Sequence, residues 1–229
     1  MDYQRIAATA LTIALAALVP RLAAQAAEPE AESPGESIEL PTAIDSTGMS
    51  VEEAIAGRRS VRRFRDRPLS DDIISRLLWS AQGITEPARN LRAAPSAGAT
   101  YPLELYLVDR RGVFHYRPDE QRLHKIAAGD RRSALARAAL GQDMISQASV
   151  NLVIAAVPAR TTGRYGKERG ERYVHIEIGH AAQNVHLQAV ALGLGSVPIG
   201  AFHDNRVRQA LDLPAEHQPF YIIPVGKPR

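Results

Sequence analysis

The sequence predicts a single α+β domain, and three observations predict it. Leu103 to Val108 alternates as a strand does, Asp109 to Gly112 is a turn, and Val113 to Tyr116 returns as its antiparallel partner. Two helical patterns flank such strands: Ile73, Ile74, Leu77, Leu78 and Ala81 share one face after Ser70, and a long helix is expected from about Glu171 to Leu192. The chain shows neither a βαβ rhythm nor a GxGxxG loop, so the sheet is expected to be mostly antiparallel or mixed. With 229 residues, 45% of them hydrophobic, one core is within reach.

Arg5 precedes an apolar run from Ile6 to Val19, and Ala24-Gln25-Ala26 offers the small-x-small pattern of a cleavage site. Residues 1–27 are therefore expected to be an export signal, and the remaining chain to be periplasmic. The run's 14 residues fall short of the roughly 20 that span a bilayer. Retention of this segment as a membrane anchor is the alternative reading. From Glu28 to Gly48 stand six acidic residues, three prolines and no basic residue, the composition of a solvated linker over residues 28–48. The folded domain is then expected over residues 49–229.

That domain opens at Ser50, which with Glu53 makes a capping box for a short helix closed by Gly57. Arg58 to Phe64 follows as an irregular stretch. Arg131 to Ser146 is helical in propensity, with a break at Gly141; Asn151 to Val157 reads as a fully buried strand; Gly193 and Gly195 end the long helix; Tyr221 to Val225 is a late strand.

From Met49 onward, 26 Lys and Arg stand against 18 Asp and Glu, a balance of +8 that suits an anionic ligand. Nucleic acid is not expected, because the basic residues do not line one helix stripe and aromatics are only 5%. The absence of cysteine excludes disulfides, thiolate chemistry and Cys-based metal sites. His175, His180 and His186 are spaced by five and six residues. They do not present the i, i+4 face of a metal pair and read as core or interface histidines.

Three segments carry candidate chemistry. Arg58, Arg59, Ser60, Arg62 and Arg63 place four guanidinium groups and a hydroxyl past a helix end, which reads either as a phosphate site or as a solvated basic turn. The small-residue loop Ala94-Pro95-Ser96-Ala97-Gly98-Ala99-Thr100-Tyr101-Pro102 lets backbone N–H groups approach a ring or phosphate closely, as an ordinary connecting loop also would. Gly193 to Phe202 again sets Gly, Pro and Ala around one aliphatic side chain, as a ring cover or as a tight turn.

In order and spacing, RRSVRRF, PSAGATYPLELYLV, GHAAQNVHLQAVALGLGSVPIGAF and the terminal IIPVGKP resemble the nitroreductase superfamily, and within it the SagB-type dehydrogenase branch. The likeness runs from about Val51 to Pro228. It implies a homodimeric oxidoreductase with FMN at the dimer interface, acting on a small-molecule substrate with NAD(P)H or a quinol as electron donor. Carried over, it implies that Arg58, Arg59, Ser60 and Arg62, with Lys227 in support, hold the phosphate and ribityl chain. Pro95, Ser96, Ala97 and Gly98 would line the flavin from the partner subunit. Pro198, Ile199, Gly200 and Ala201 would cover the other side, with a backbone N–H at Gly200 or Ala201 facing flavin N5. In azoline-forming members a Lys-Tyr pair transfers protons. Arg164-Tyr165 stands there in this chain, so Tyr165 is the candidate acid–base group, and azoline formation is not expected because Arg stays protonated. A non-catalytic flavin-binding or degenerate interaction module is the alternative function.

Overall fold

The computed structural model describes residues 35–43 and 48–229, so the expected export signal lies outside the described residues. In chain order the elements are β1 (Ser37–Glu39), α1 (Val51–Gly57), α2 (Asp71–Gln82), β2 (Ile84–Glu86), β3 (Leu91–Arg92), β4 (Leu103–Asp109), β5 (Gly112–Arg117) and β6 (Arg122–Ala128). There follow α3 (Arg132–Ala138), α4 (Asp143–Gln147), β7 (Val150–Ala156), α5 (Ala159–Tyr165), α6 (Lys167–Ala191), β8 (Gly195–Ser196), α7 (Asp204–Leu211) and β9 (Gln218–Gly226).

Seven strands make one antiparallel sheet in the order β1-β6-β5-β4-β7-β9-β8, and β2 with β3 forms a separate pair. Helices cover both faces, as the α+β reading requires. Successive side chains of a strand point to opposite faces. Leu105 and Leu107 of β4 therefore meet Ile74, Leu77 and Leu78 of α2 and Ala181 and Val185 of α6. Tyr106 and Val108 meet Leu135, Ile145, Val207 and Leu211 of α3, α4 and α7. All seven residues of β7 are buried, which is why that strand, Asn151 apart, reads as an apolar run instead of an alternation.

The caps behave as their residue types dictate. The Ser50 hydroxyl accepts from the Glu53 N–H at 3.1 Å while Glu53 accepts from the Ser50 N–H at 2.7 Å. Between α3 and α4 the chain turns through positive φ at Leu140 and Gly141, the expected break. α6, at 25 residues, extends about 37 Å and starts four residues earlier than its apolar pattern indicated.

The acidic stretch is not a solvated linker throughout. Ser37–Glu39 pairs with β6 as the sheet's edge strand, and Leu40 and Ala43 are buried beyond it. The cause is charge complementarity at an open edge. Glu36 pairs with Lys125 at 2.6 Å and Glu39 with Arg122 at 2.7 Å, so the acidic composition answers the basic face of β6.

Candidate active site

The basic run lies where α1 ends, and its shape is set by backbone pairing to two later segments. Ser60 bridges Ser196 in parallel, and the Val61 N–H donates to the Ser196 carbonyl at 3.0 Å. A Cβ on Gly195 would lie 2.6 Å from the Val61 side chain, so only glycine allows this approach. On the other side Phe64, 1% exposed, bridges Pro228, with the Arg65 N–H donating to Lys227 O and the Arg229 N–H to Arg63 O. Lys227 Nζ reaches the Gly193 carbonyl at 3.3 Å. One corner thus gathers Arg58, Ser60, Arg62, Lys227 and the turn after α6.

What marks this corner is the number of cations that gather there without a carboxylate. Arg89, Arg110, Arg111, Arg122 and Arg132 each take a carboxylate. Among the described residues no carboxylate pairs with Arg58, Arg62, Arg63 or Lys227; Arg59 bonds only the carbonyls of Ala56 and Arg58. Like charges without counter-ions are the donor set an anion satisfies. Beneath them His186, 5% exposed, bonds Ser196 Oγ through Nδ1 at 2.8 Å. Burial, with Arg58 adding to it, pulls the imidazole pKa down to about 4, so the ring is neutral at physiological pH.

The segment Pro198–Ala201 is fastened to the same side. Ile199 and Ile222 exchange backbone bonds at 2.8 and 3.0 Å, and Gln142 Nε2 donates to the Ala201 carbonyl at 2.9 Å. Gly200 and Ala201 are exposed, and among the described residues their N–H groups find no acceptor. Two adjacent free donors stand beside the basic corner.

Pro95, Ser96, Ala97 and Gly98 lie elsewhere in the chain. Together with Tyr173, Ile176, Glu177 and His180 the first three of them line a cavity of about 240 Å³ on α6. Gly98 adopts φ +60°, and its carbonyl accepts from Arg164 at 2.9 Å. The Tyr165 hydroxyl packs so closely that a Cβ there would lie 2.3 Å away. Tyr165 therefore belongs with this loop and not with Gly200. Glu177 and His186 mark the two patches on α6; nine residues separate them, about two and a half turns and about 14 Å. The half turn puts the patches on opposite faces of the helix.

Sequence reasoning missed Glu177. It is 2% exposed, and its Oε1 lacks a hydrogen-bond partner among the described residues. Burial raises its pKa to about 7, against the opposing pull of Ser96 and Arg92. The signal was available, because Glu177 shares the buried stripe of Gly170, Val174, Ile178 and Ala181, and an acid there needs a reason.

An antiparallel sheet covered on both faces by helices, with a basic corner where its longest helix ends, defines a known class of α+β domain. The crystal structure of "a putative nitroreductase" from Ralstonia eutropha JMP134 shares the fold at a TM-score of 0.77 and 26% identity, covering 84% of this chain and 90% of that one. The chain belongs to the nitroreductase family, whose profile matches residues 55–227. It is 42% identical over 196 residues to "Putative nitroreductase MJ1384" of Methanocaldococcus jannaschii, spanning 83% of this chain and 96% of that protein. It is also similar to the microcin B17-processing protein McbC of Escherichia coli, at 29% identity over 157 residues, 63% of this chain and 57% of that one.

Proposed function

We propose that the protein is an FMN-dependent oxidoreductase of the SagB-type branch, which transfers hydride through flavin N5 to or from a small organic substrate and works as a homodimer. The observation that carries this reading is the division of the candidate residues between opposite faces of α6. The basic corner with Pro198–Ala201 forms one half of a cofactor cradle, and the Pro95–Gly98 loop with Tyr165 forms the other. Halves on opposite faces of one helix would be brought together around one ring by two copies related by a twofold axis. Likeness to McbC supports the branch.

The residues fit the cofactor. Arg58, Ser60, Arg62 and Lys227 offer an anion-binding set with no carboxylate of its own, and the small side chains of Pro198–Ala201 leave a flat approach with two free N–H donors. Bound there, FMN supplies a two-electron carrier that exchanges hydride at N5. The corner's positive charge would favour the gain of electrons by a bound flavin, and the Gly200 and Ala201 N–H groups would be the donors available to hold its ring. The Tyr165 hydroxyl moves a proton at the substrate side. Arg164, tied to the Gly98 carbonyl, stays protonated and does not replace the basic Lys of azoline-forming members. The electron donor is NAD(P)H or a quinol. A quinol suits a periplasmic location, which the sequence of residues 1–27 supports.

The test is the visible absorption spectrum of the purified protein with and without added FMN, together with its mass by light scattering. A flavin spectrum on a dimer is the expected result. A colourless protein that ignores FMN overturns the proposal, and a flavin-loaded protein that no donor reduces favours a non-catalytic flavin carrier.

A further inference from the structure

Outside both patches, a polar cavity of about 320 Å³ lies where β4 begins and β5 ends. Arg92, Glu104, His115, Arg117, Arg160 and His217 line it. Glu104 is fully engaged, with one oxygen 2.6 Å from His115 Nε2 and the other 2.6 Å from Arg160. Burial pushes its pKa up, but these two partners outweigh burial and leave it at about 2. Behind it the Tyr106 ring stacks on His115 at 4.7 Å, and the Tyr106 hydroxyl meets His217 Nδ1 at 2.5 Å. Arg117 leans toward Asp119 at 3.5 Å.

Arg92 is the exception in this wall. Its guanidinium lies over the Tyr101 ring at 4.7 Å and donates to Gln82 Oε1 at 3.2 Å; among the described residues no carboxylate pairs with it directly, and Glu104, Asp119 and Glu177 act on it only from a distance. Burial works against its charge. Among the described residues its Nε has no acceptor, and neither does Nε2 of Gln82, which is 1% exposed. Two donors without acceptors thus lie within one cavity wall, and they leave the Arg92 guanidinium under-satisfied beside the cavity.

We propose that this cavity is a second ligand site, distinct from the Arg58–Lys227 corner, that takes a small monocarboxylate on Arg92. A planar two-oxygen anion matches the guanidinium fork. Glu104 and Asp119 also line the cavity, and their charges disfavour a dianion such as phosphate. Leu103 and Pro118 give a short hydrocarbon or aromatic remainder an apolar wall, and the volume falls at the low end for small-molecule pockets.

Calorimetric titration of the purified full chain with acetate, benzoate and phosphate tests the assignment. At the Arg92 site benzoate is expected to bind once per chain, acetate more weakly and phosphate most weakly. Arg92→Gln is expected to weaken benzoate by about tenfold or more, as loss of a charge-assisted pair does. Arg117→Gln, at the exposed rim, weakens it less, and Arg58→Gln leaves it unchanged. Absence of benzoate binding overturns the proposal, as does binding that a folded Arg92→Gln protein retains, or that Arg58→Gln abolishes, or phosphate binding that is tighter than benzoate and lost in Arg92→Gln. Should Arg92→Gln fail to fold, Arg117→Gln decides, and benzoate affinity unchanged in that variant overturns the proposal. None of these readouts requires FMN, so the outcome is separable from that of the flavin spectrum.

Discussion

At the scale of single residues, Arg58 and Gly98 make opposite kinds of contribution. Arg58 is half-buried and has no carboxylate partner among the described residues. Replacing it with alanine is expected to leave the fold intact and to weaken FMN binding by roughly 1.5–3 kcal/mol, about ten- to a hundredfold. Titration by flavin fluorescence measures this, and the loss should shrink at high salt, because exposed charges are screened. Gly98 sits at φ +60° against the Tyr165 hydroxyl and the Arg164 guanidinium. Gly98→Ala is expected to cost about 1–2 kcal/mol from backbone handedness alone, read as a lower thermal midpoint; an unchanged midpoint would disprove the contact. The basic run and the small-residue loops were legible in the sequence because each residue type announces its chemistry. Arg92 was not, since its meaning arises from the unpaired Gln82 amide beside it, a neighbour ten positions away in the chain.

At the scale of elements, what the sequence revealed depended on length and periodicity. α2 was legible from Ser70 to Ala81 because its apolar residues fall on one face, and Ser70 caps it. β4, β5 and β7 were legible from alternation or continuous apolarity. β1, three residues long, and β6, with Arg122, His124 and Lys125 among its seven, were not, because pairing and cross-strand charge create them and intrinsic preference does not. α5 and α7 are short and polar, and tertiary contacts fix them. The energetic weight follows burial. Leu77 is fully buried between α2 and the sheet, so Leu77→Ala is expected to cost about 2–5 kcal/mol. Ser50→Ala, losing only an exposed cap, should cost about 1 kcal/mol. Urea titration of both variants checks the ranking.

At the scale of the whole molecule, Glu177, His186, His217 and Glu104 shape stability against pH. Glu177, raised from 4.5 to about 7, binds its proton more tightly in the folded state, so its contribution is complete below pH 4.5 and is lost as pH rises through 7. His186, lowered from 6.5 to about 4, and Glu104, lowered from 4.5 to about 2, act in the reverse sense. The His186 contribution is complete above pH 6.5 and lost as pH falls through 4; that of Glu104 is complete above 4.5 and lost toward 2. Between pH 4.5 and 6.5 the slope of Glu177 opposes those of His186 and of His217, which burial also lowers, so the rise of stability with pH should be blunted there, with a steep fall on the acid side. Glu177→Gln removes the opposing slope, so stability should then climb more steeply across that window, by about 3 kcal/mol more at most. Denaturant melts at stepped pH measure it, and an unchanged profile would refute the opposition.

The position of β9 has a further consequence, for the order in which the chain becomes safe. β9 is inserted between β7 and β8, yet it begins more than sixty residues after β7 ends. Until it arrives, one side of Val150–Ala156 presents unpaired backbone along a strand that is apolar except at Asn151, the kind of edge that recruits other chains. The same late segment delivers Lys227 to the basic corner. Closing the sheet and completing the corner are therefore a single event, and a chain interrupted before residue 218 would be adhesive and would lack part of its anion site.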